Sequence, residues 1–354
     1  MSQEPEEDEG LTGEELPTPG PPVPWFSGDV LASIFFYLFW PALVAAILLS
    51  SGLFQWIVPD AGYLIRMVNH KDRENSTQQA MGHIIGPSAK LAEPAMWRLL
   101  YARLGLWASV IAAPLSLITI FGLCCWRYGA SLASLGFTGS QWPRTVRLGM
   151  LGAIILIPTI LLFHNAVLEI YGRLVKVPSE EHDLVQLTRV QLLPIEWVFW
   201  LVLAIVVAPV LEEVYFRGVV QGYAQANALG GYMVIALAVM LTFALHSESL
   251  QTARESSPMD ALDAALPIVF ILALGLLFLT AREYRPETTL PAIIATSILF
   301  AAVHSTWPHP VALFVLSLGL GYLRVRSGSL LAPILVHALF NATSTALYFL
   351  WPSP

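Results

Sequence analysis

Apolar runs long enough to cross a bilayer, or nearly so, recur along most of this sequence. They fall at about 30–57, 104–126, 148–168, 195–211, 231–246, 266–280, 290–305, 310–323 and 330–351. Hydrophobic residues make up 56% of the chain and charged residues only 12%, about half the charged share of a soluble domain. A single water-solvated core could hardly bury that much apolar surface, whereas lipid solvates it directly. The expectation is an all-α, polytopic transmembrane helix bundle of about eight or nine spans. The count is open by one because several later runs are short enough to be tilted, re-entrant or buried among neighbours.

The formal net charge of −7 is local. Glu4, Glu6, Glu7, Asp8, Glu9, Glu14 and Glu15 supply it, and no Lys or Arg precedes Arg66. Residues 1–28, which also hold Pro17, Pro19, Pro21, Pro22 and Pro24, read as a disordered acidic tail rather than a signal peptide. The rest is close to neutral, so no nucleic-acid partner is expected. Polar residues 59–103, partly amphipathic, read as a helical loop lying on the membrane surface. Residues 169–194, with Glu180, Glu181, His182 and Asp183, read as a solvated loop rather than a metal site. Cys124 and Cys125 are adjacent, which makes neither a disulfide framework nor a zinc site. They read as small residues near a helix end, with acylation as the alternative. With nine spans, Arg127, Arg144, Arg147, Arg282, Arg285, Arg324 and Arg326 share a side with the amino terminus, which mildly favours a cytoplasmic amino terminus.

Ionisable groups inside spans are costly unless paired or facing a polar cavity, so each needs an explanation. In the carboxy-terminal half they form three compact pieces: Glu212-Glu213-Val214-Tyr215-Phe216-Arg217, Phe300-Ala301-Ala302-Val303-His304, and His337-Ala338-Leu339-Phe340-Asn341. Glu213 and Arg217 are one helical turn apart, with the acid in the favourable amino-terminal position for an ion pair. His337 and Asn341 share a helix face, and Phe300 can pack beside the ring of His304. Glu212 points about 100° away from Glu213 around the helix, which leaves it as a free carboxylate if Arg217 neutralises Glu213. A carboxylate and a histidine can polarise one water, while a second histidine and an amide donate to the oxyanion of a carbonyl under attack. Glu212, His304, His337 and Asn341 therefore suffice in principle for amide hydrolysis within a membrane. Neither a Gly-x-Ser-x-Gly elbow nor a His-Glu-x-x-His signature competes with them.

The order Glu-Glu-x-x-x-Arg, Phe-x-x-x-His, His-x-x-x-Asn resembles the CAAX prenyl protease and bacteriocin-processing family, also called the ABI family. Phe216-Arg217-Gly218, Gly319-Leu320-Gly321-Tyr322-Leu323 and Arg326-Ser327-Gly328-Ser329-Leu330-Leu331-Ala332-Pro333 extend the likeness, and Leu135-Gly136-Phe137 does so more loosely. The resemblance implies that Glu212 and His304 activate water and that His337 and Asn341 stabilise the oxyanion. It further implies that Glu213 and Arg217 hold the site, with Phe300 supporting it. No metal and no cofactor are expected, and the implied partner is a lipidated or membrane-bound peptide or protein substrate. The implied location is a multi-pass position in a bacterial-type plasma membrane.

The implied organisation is a tail (1–28), an amino-terminal membrane region (29–194), a protease core (195–345) with an insertion near 247–289, and the end of the last span (346–354). The insertion stretches the separation of Glu212 from His304 well beyond the family's compact spacing. It includes a polar loop at 247–265 and creates a rival, Phe243-Ala244-Leu245-His246, one residue short of the motif. His246 reads as a helix cap beside Ser247, His309 as a loop residue, and His164 with Asn165 as helix packing. Three functions follow in order: an intramembrane metal-independent endopeptidase, a non-catalytic scaffold or immunity protein of the same family, and a transporter. The last should show paired broken helices in corresponding halves, and no such repeat is present.

Overall fold

The structure is a computed structural model that describes residues 27–58, 93–137, 142–175, 192–253, 258–304 and 306–350. Its helices are α1 (Ser27–Ser50), the short α2 (Leu53–Ile57), α3 (Glu93–Tyr128), α4 (Trp142–Val175), α5 (Pro194–Ala226), α6 (Gly230–Ala253), α7 (Pro258–Tyr284), α8 (Leu290–Ala302), α9 (His309–Ser327) and α10 (Leu331–Leu350). No strand occurs among the described residues. In hydrocarbon no water satisfies a backbone N–H or C=O, so a spanning segment must close its own hydrogen bonds as helix. Among the described residues, seven helices (α1, α3, α4, α5, α6, α7 and α9) are long and apolar enough to cross a membrane, and α8 and α10 are shorter apolar helices. The protein is a polytopic all-α membrane protein, and the nine apolar runs correspond to these nine helices.

Two departures from a plain spanning helix position the later chemistry. Helix α8 has 13 residues, a rise of about 20 Å against a hydrocarbon core of roughly 30 Å. It stops short without penalty because Pro291 through Ala302 are all buried, packed by α6, α7 and α9 rather than by lipid. Helix α5 contains two π-helical turns, Leu203–Val207 and Val214–Val220, on either side of Ala208–Glu213. Such turns rotate the following side chains and leave a carbonyl free for other partners, and they are frequent at functional sites.

Around α5, α1 packs on α3, while α4 lies against α9 and α10. The paired glycines of α9 serve different neighbours. A Cβ at Gly319 would sit 2.6 Å from Leu156 Cδ1 of α4, and one at Gly321 would sit 2.9 Å from Ile293 Cγ2 of α8. Upstream, Gly136 adopts φ +103°, and a Cβ there would lie 2.7 Å from the Arg324 guanidinium. Its carbonyl accepts from the Leu330 N–H at 2.8 Å. Leu135-Gly136-Phe137 is thus a docking strap on the turn between α9 and α10.

Several expectations about loops are corrected. The helical character expected within 59–103 is present at 93–103, but as the start of α3 rather than as part of a separate loop, and α4 continues to Val175, into the stretch expected as a solvated loop. Most of the expected polar loop at 247–265 is the ends of α6 and α7, and His246 lies well inside α6 rather than capping it. His309 opens α9, with Pro310 in the first turn where a missing N–H is harmless. The acidic cluster from Glu180 to Asp183 and the tail up to residue 26 lie outside the described residues.

The extension of α3 carries a buried ion pair. Arg103 Nε donates to Glu196 Oε1 at 2.8 Å, and both side chains are 3% exposed or less. Trp107 Nε1 donates to the same oxygen at 3.1 Å, while Glu196 Oε2 accepts from the Leu193 N–H at 2.9 Å, capping α5. Removing one partner of a buried pair strands the other charge, so Arg103→Ala should cost about 3–5 kcal/mol. Thermal unfolding in detergent should show that loss, and an unchanged midpoint would mean the pair contributes nothing to the docking of α3 on α5.

Candidate active site

Arg217 is the largest of the fully buried side chains, and its charge dictates what surrounds it. One turn earlier on α5, Glu213 Oε1 accepts from Arg217 Nη1 at 3.0 Å, with both side chains 0% exposed. From α9, Ser317 Oγ accepts from Arg217 Nη2 at 2.8 Å and the Ser317 carbonyl at 3.3 Å. The guanidinium also lies 4.8 Å from the centre of the Phe300 ring of α8, a cation–π contact strengthened by desolvation. Three helices therefore converge on one cation.

Glu213 Oε1 has a second partner. His337 Nδ1 of α10 lies 2.8 Å away, and an acid held ionised by Arg217 can only accept, so Nδ1 carries the proton. That bond turns Nε2 toward Glu212, whose Oε2 is 3.8 Å distant. The two adjacent acids thus share a histidine, where their angular separation suggested separate partners. Phe300 closes this group, its ring 5.9 Å from that of His337 and 5.0 Å from that of Phe216.

His304 follows the short end of α8, with its N–H bonded to Ala301 O at 3.1 Å. Its Nδ1 is 2.7 Å from Phe300 O. A carbonyl cannot donate, so Nδ1 holds the proton and Nε2 is left with a lone pair. Its ring lies 4.8 Å from that of Phe300, as the spacing of the motif suggests. No hydrogen bond or ion pair joins His304 to Glu212 among the described residues, and Phe300 is what links His304 to the cluster. One turn beyond His337, Asn341 Nδ2 donates to Ala204 O at 2.8 Å, a carbonyl in the first π turn of α5. One N–H of that amide is engaged in tying α10 to α5, and the second remains to donate elsewhere.

Sequence reasoning missed Ser317, Phe216 and the Ala204 carbonyl. A serine in the apolar run of α9 was the available signal for the first. The rings of His164 and His309 have their centres 5.0 Å from each other. Among the described residues no group of three or more His, Cys, Asp or Glu side chains is spaced to hold a metal ion.

The cluster makes a graded stability prediction. Arg217→Ala should cost about 3–5 kcal/mol by leaving Glu213 unpaired, and membrane levels of the protein should fall. Ser317→Ala removes one bond to a charged group and should cost about 1.5–3 kcal/mol. Equal thermal midpoints for wild type and both variants would show that the buried cation needs no such support.

Comparison with known proteins follows the same segment. Residues 194–295 and 275–343 match the family model described as type II CAAX prenyl endopeptidase Rce1-like. The curated proteins and the solved structures gave no match.

Proposed function

We propose that this chain, whose residues 194–343 form a domain of the Rce1-like type II CAAX prenyl endopeptidase family, is a catalytically active intramembrane endopeptidase. The observation that carries the reading is the bridge from Arg217 through Glu213 to His337, which aims an imidazole nitrogen at the Glu212 carboxylate. A purely structural ion pair would need neither the histidine nor the second acid.

In the proposed reaction Glu212 takes a proton from water, with His304 Nε2 as its partner in polarising that water. The oxygen adds to the carbonyl of the scissile bond. The oxyanion that forms accepts hydrogen bonds from the free N–H of Asn341 and from Nε2–H of His337, which enters the cycle with both ring nitrogens protonated and keeps both protons throughout. The proton held by Glu212 then passes to the departing amine, so nothing is left on the enzyme. Side chains alone perform each step. Glu213 and Arg217 touch no reacting atom; they hold His337 in register.

The family description and the membrane setting together support a substrate presented from the bilayer. Its proposed form is a peptide or protein whose cysteine near the carboxyl terminus carries a prenyl chain. A bacterial-type plasma membrane is the proposed location, on the family resemblance alone.

The test uses purified protein in lipid nanodiscs and a quenched fluorescent peptide ending in a farnesylated cysteine plus three residues. Glu212→Gln keeps the shape but cannot accept a proton, so turnover should fall by about 10²- to 10⁴-fold. Asn341→Ala should slow it by roughly 10²- to 10³-fold. Both variants should accumulate like wild type. Undiminished turnover by Glu212→Gln would take the role of base away from Glu212, and no turnover by wild type would support the non-catalytic scaffold instead.

A further inference from the structure

The α5–α6 and α7–α8 turns lie at the ends of two membrane-crossing helices, α6 and α7, and border a cavity of about 200 Å³. Phe278 of α7 gives it an apolar floor, while Gln225, Arg282, Glu287 and Thr289 line it with polar groups. Sites for drug-sized ligands run to roughly 300–1,000 Å³, so a small polar group fits here and a peptide substrate does not. The cavity is separate from the catalytic cluster. It borders α8 at Ala292, and eight residues, about 12 Å of helix, lie between there and Phe300.

Two opposite charges share this cavity without pairing. Arg282 Nη1 donates to the Pro286 carbonyl at 3.3 Å and Nη2 to that of Ala228 at 3.5 Å. Both are longer than the roughly 2.7–3.2 Å usual for N–H···O. They hold the guanidinium across the two turns and leave most of its five N–H donors unspent. Among the described residues Arg282 makes no ion pair, and Glu287 makes neither an ion pair nor a hydrogen bond. Thr289 stands just before α8, yet its hydroxyl caps no N–H of that helix. Glu283 and Arg285 flank the same turn but stand outside the cavity wall. The general excess of cations at one membrane face would account for Arg282 alone. It does not account for a carboxylate left unpaired in the same cavity.

We infer that this cavity is a binding site for a phosphoethanolamine group, with the phosphate on Arg282 and Thr289 and the ammonium on Glu287. A guanidinium matches phosphate oxygens with parallel N–H groups, and a primary ammonium offers three donors to a carboxylate. A choline group has no N–H to offer, and a glycerol headgroup has no cation, so each satisfies only half of the site. The setting points to a phospholipid as the source. Leu229, Tyr232 and Tyr284 beside the cavity are exposed, and the Tyr232 ring meets that of Phe278 at 5.3 Å. Tyrosines at the ends of spans sit at headgroup level. The inference does not depend on the endopeptidase reading.

The experiment titrates delipidated full-length protein in detergent with phosphatidylethanolamine, phosphatidylcholine and phosphatidylglycerol of identical acyl chains. Bound lipid is counted by native mass spectrometry. Phosphatidylethanolamine is expected to bind about tenfold tighter than either of the others. Arg282→Ala should weaken it by about 10- to 100-fold, and Glu287→Gln should abolish its advantage over phosphatidylcholine. Equal affinities for the three lipids, or phosphatidylethanolamine binding indifferent to both substitutions, overturns the inference. Glu287 is exposed, so its variant keeps the test open if Arg282→Ala fails to accumulate. A parallel titration with soluble glycerophosphoethanolamine separates the two sources of the group. Tighter binding of the lipid upholds the membrane source. Equal binding of the soluble compound, lost in Arg282→Ala, upholds the headgroup chemistry and overturns the membrane source.

Discussion

A guanidinium cannot lie bare at membrane depth, and Arg217 lies there with no exposed surface. Glu213 alone would neutralise its charge without fixing how the surrounding helices sit. The remaining N–H groups and the flat face of the cation recruit Ser317 from α9 and Phe300 from α8. The acid, in turn, has capacity left for His337 of α10. A single buried cation therefore sets the register of the helices that carry the candidate catalytic groups. His337 is aimed at Glu212 as a consequence of where Arg217 must be neutralised. This coupling makes the cluster intolerant of truncation: removing Arg217 or Glu213 leaves an unpaired charge in a low-dielectric interior, and removing Ser317 takes away a hydrogen bond to that charge.

The bilayer supplies the second constraint. Backbone groups must be satisfied within helices, so a helix can be interrupted at membrane depth only under protein cover. Here α8 ends early inside a shell of other helices and delivers His304. The π turns of α5 flank Glu212 and Glu213, and the carbonyl of Ala204 in the first of them anchors Asn341. A helix end and irregular turns thus appear where the cluster needs polar groups. The amino-terminal helices take part too: α1 stacks on α5 beside Glu212, and α3 is pinned to the start of α5 by Arg103 and Glu196.

Much of this was legible from local spacing. Four-residue separations placed Glu213 with Arg217, and Phe300 beside His304, because helical neighbours are fixed by geometry. The apolar runs identified the helices because lipid permits little else. Partners across helices were not legible. Nothing in the sequence ties Glu213 to His337 or Arg217 to Ser317, since those contacts depend on how α9 and α10 turn. The π turns leave no sequence signature that distinguishes them from ordinary helix. Polar helix ends misled as well: residues 247–253 read as a loop because polar side chains mask the apolar period where a helix leaves the hydrocarbon. Arg103 gave no sign of its buried partner, because Glu196 lies 93 residues further along, at the start of the run that becomes α5. His309 carried a readable signal, Pro310 in a first helical turn, which was outweighed by the prolines on both sides.

The central claim is that Glu212 activates water for direct attack on a peptide bond, with no covalent intermediate. A single-turnover cleavage in ¹⁸O-water, with enzyme in excess over the farnesylated peptide, addresses it most directly. The account predicts one ¹⁸O atom in the newly formed carboxyl group of the product from the first turnover. An unlabelled first-turnover product, with ¹⁸O appearing instead in a carboxylate of the protein, would contradict it and make that carboxylate a nucleophile.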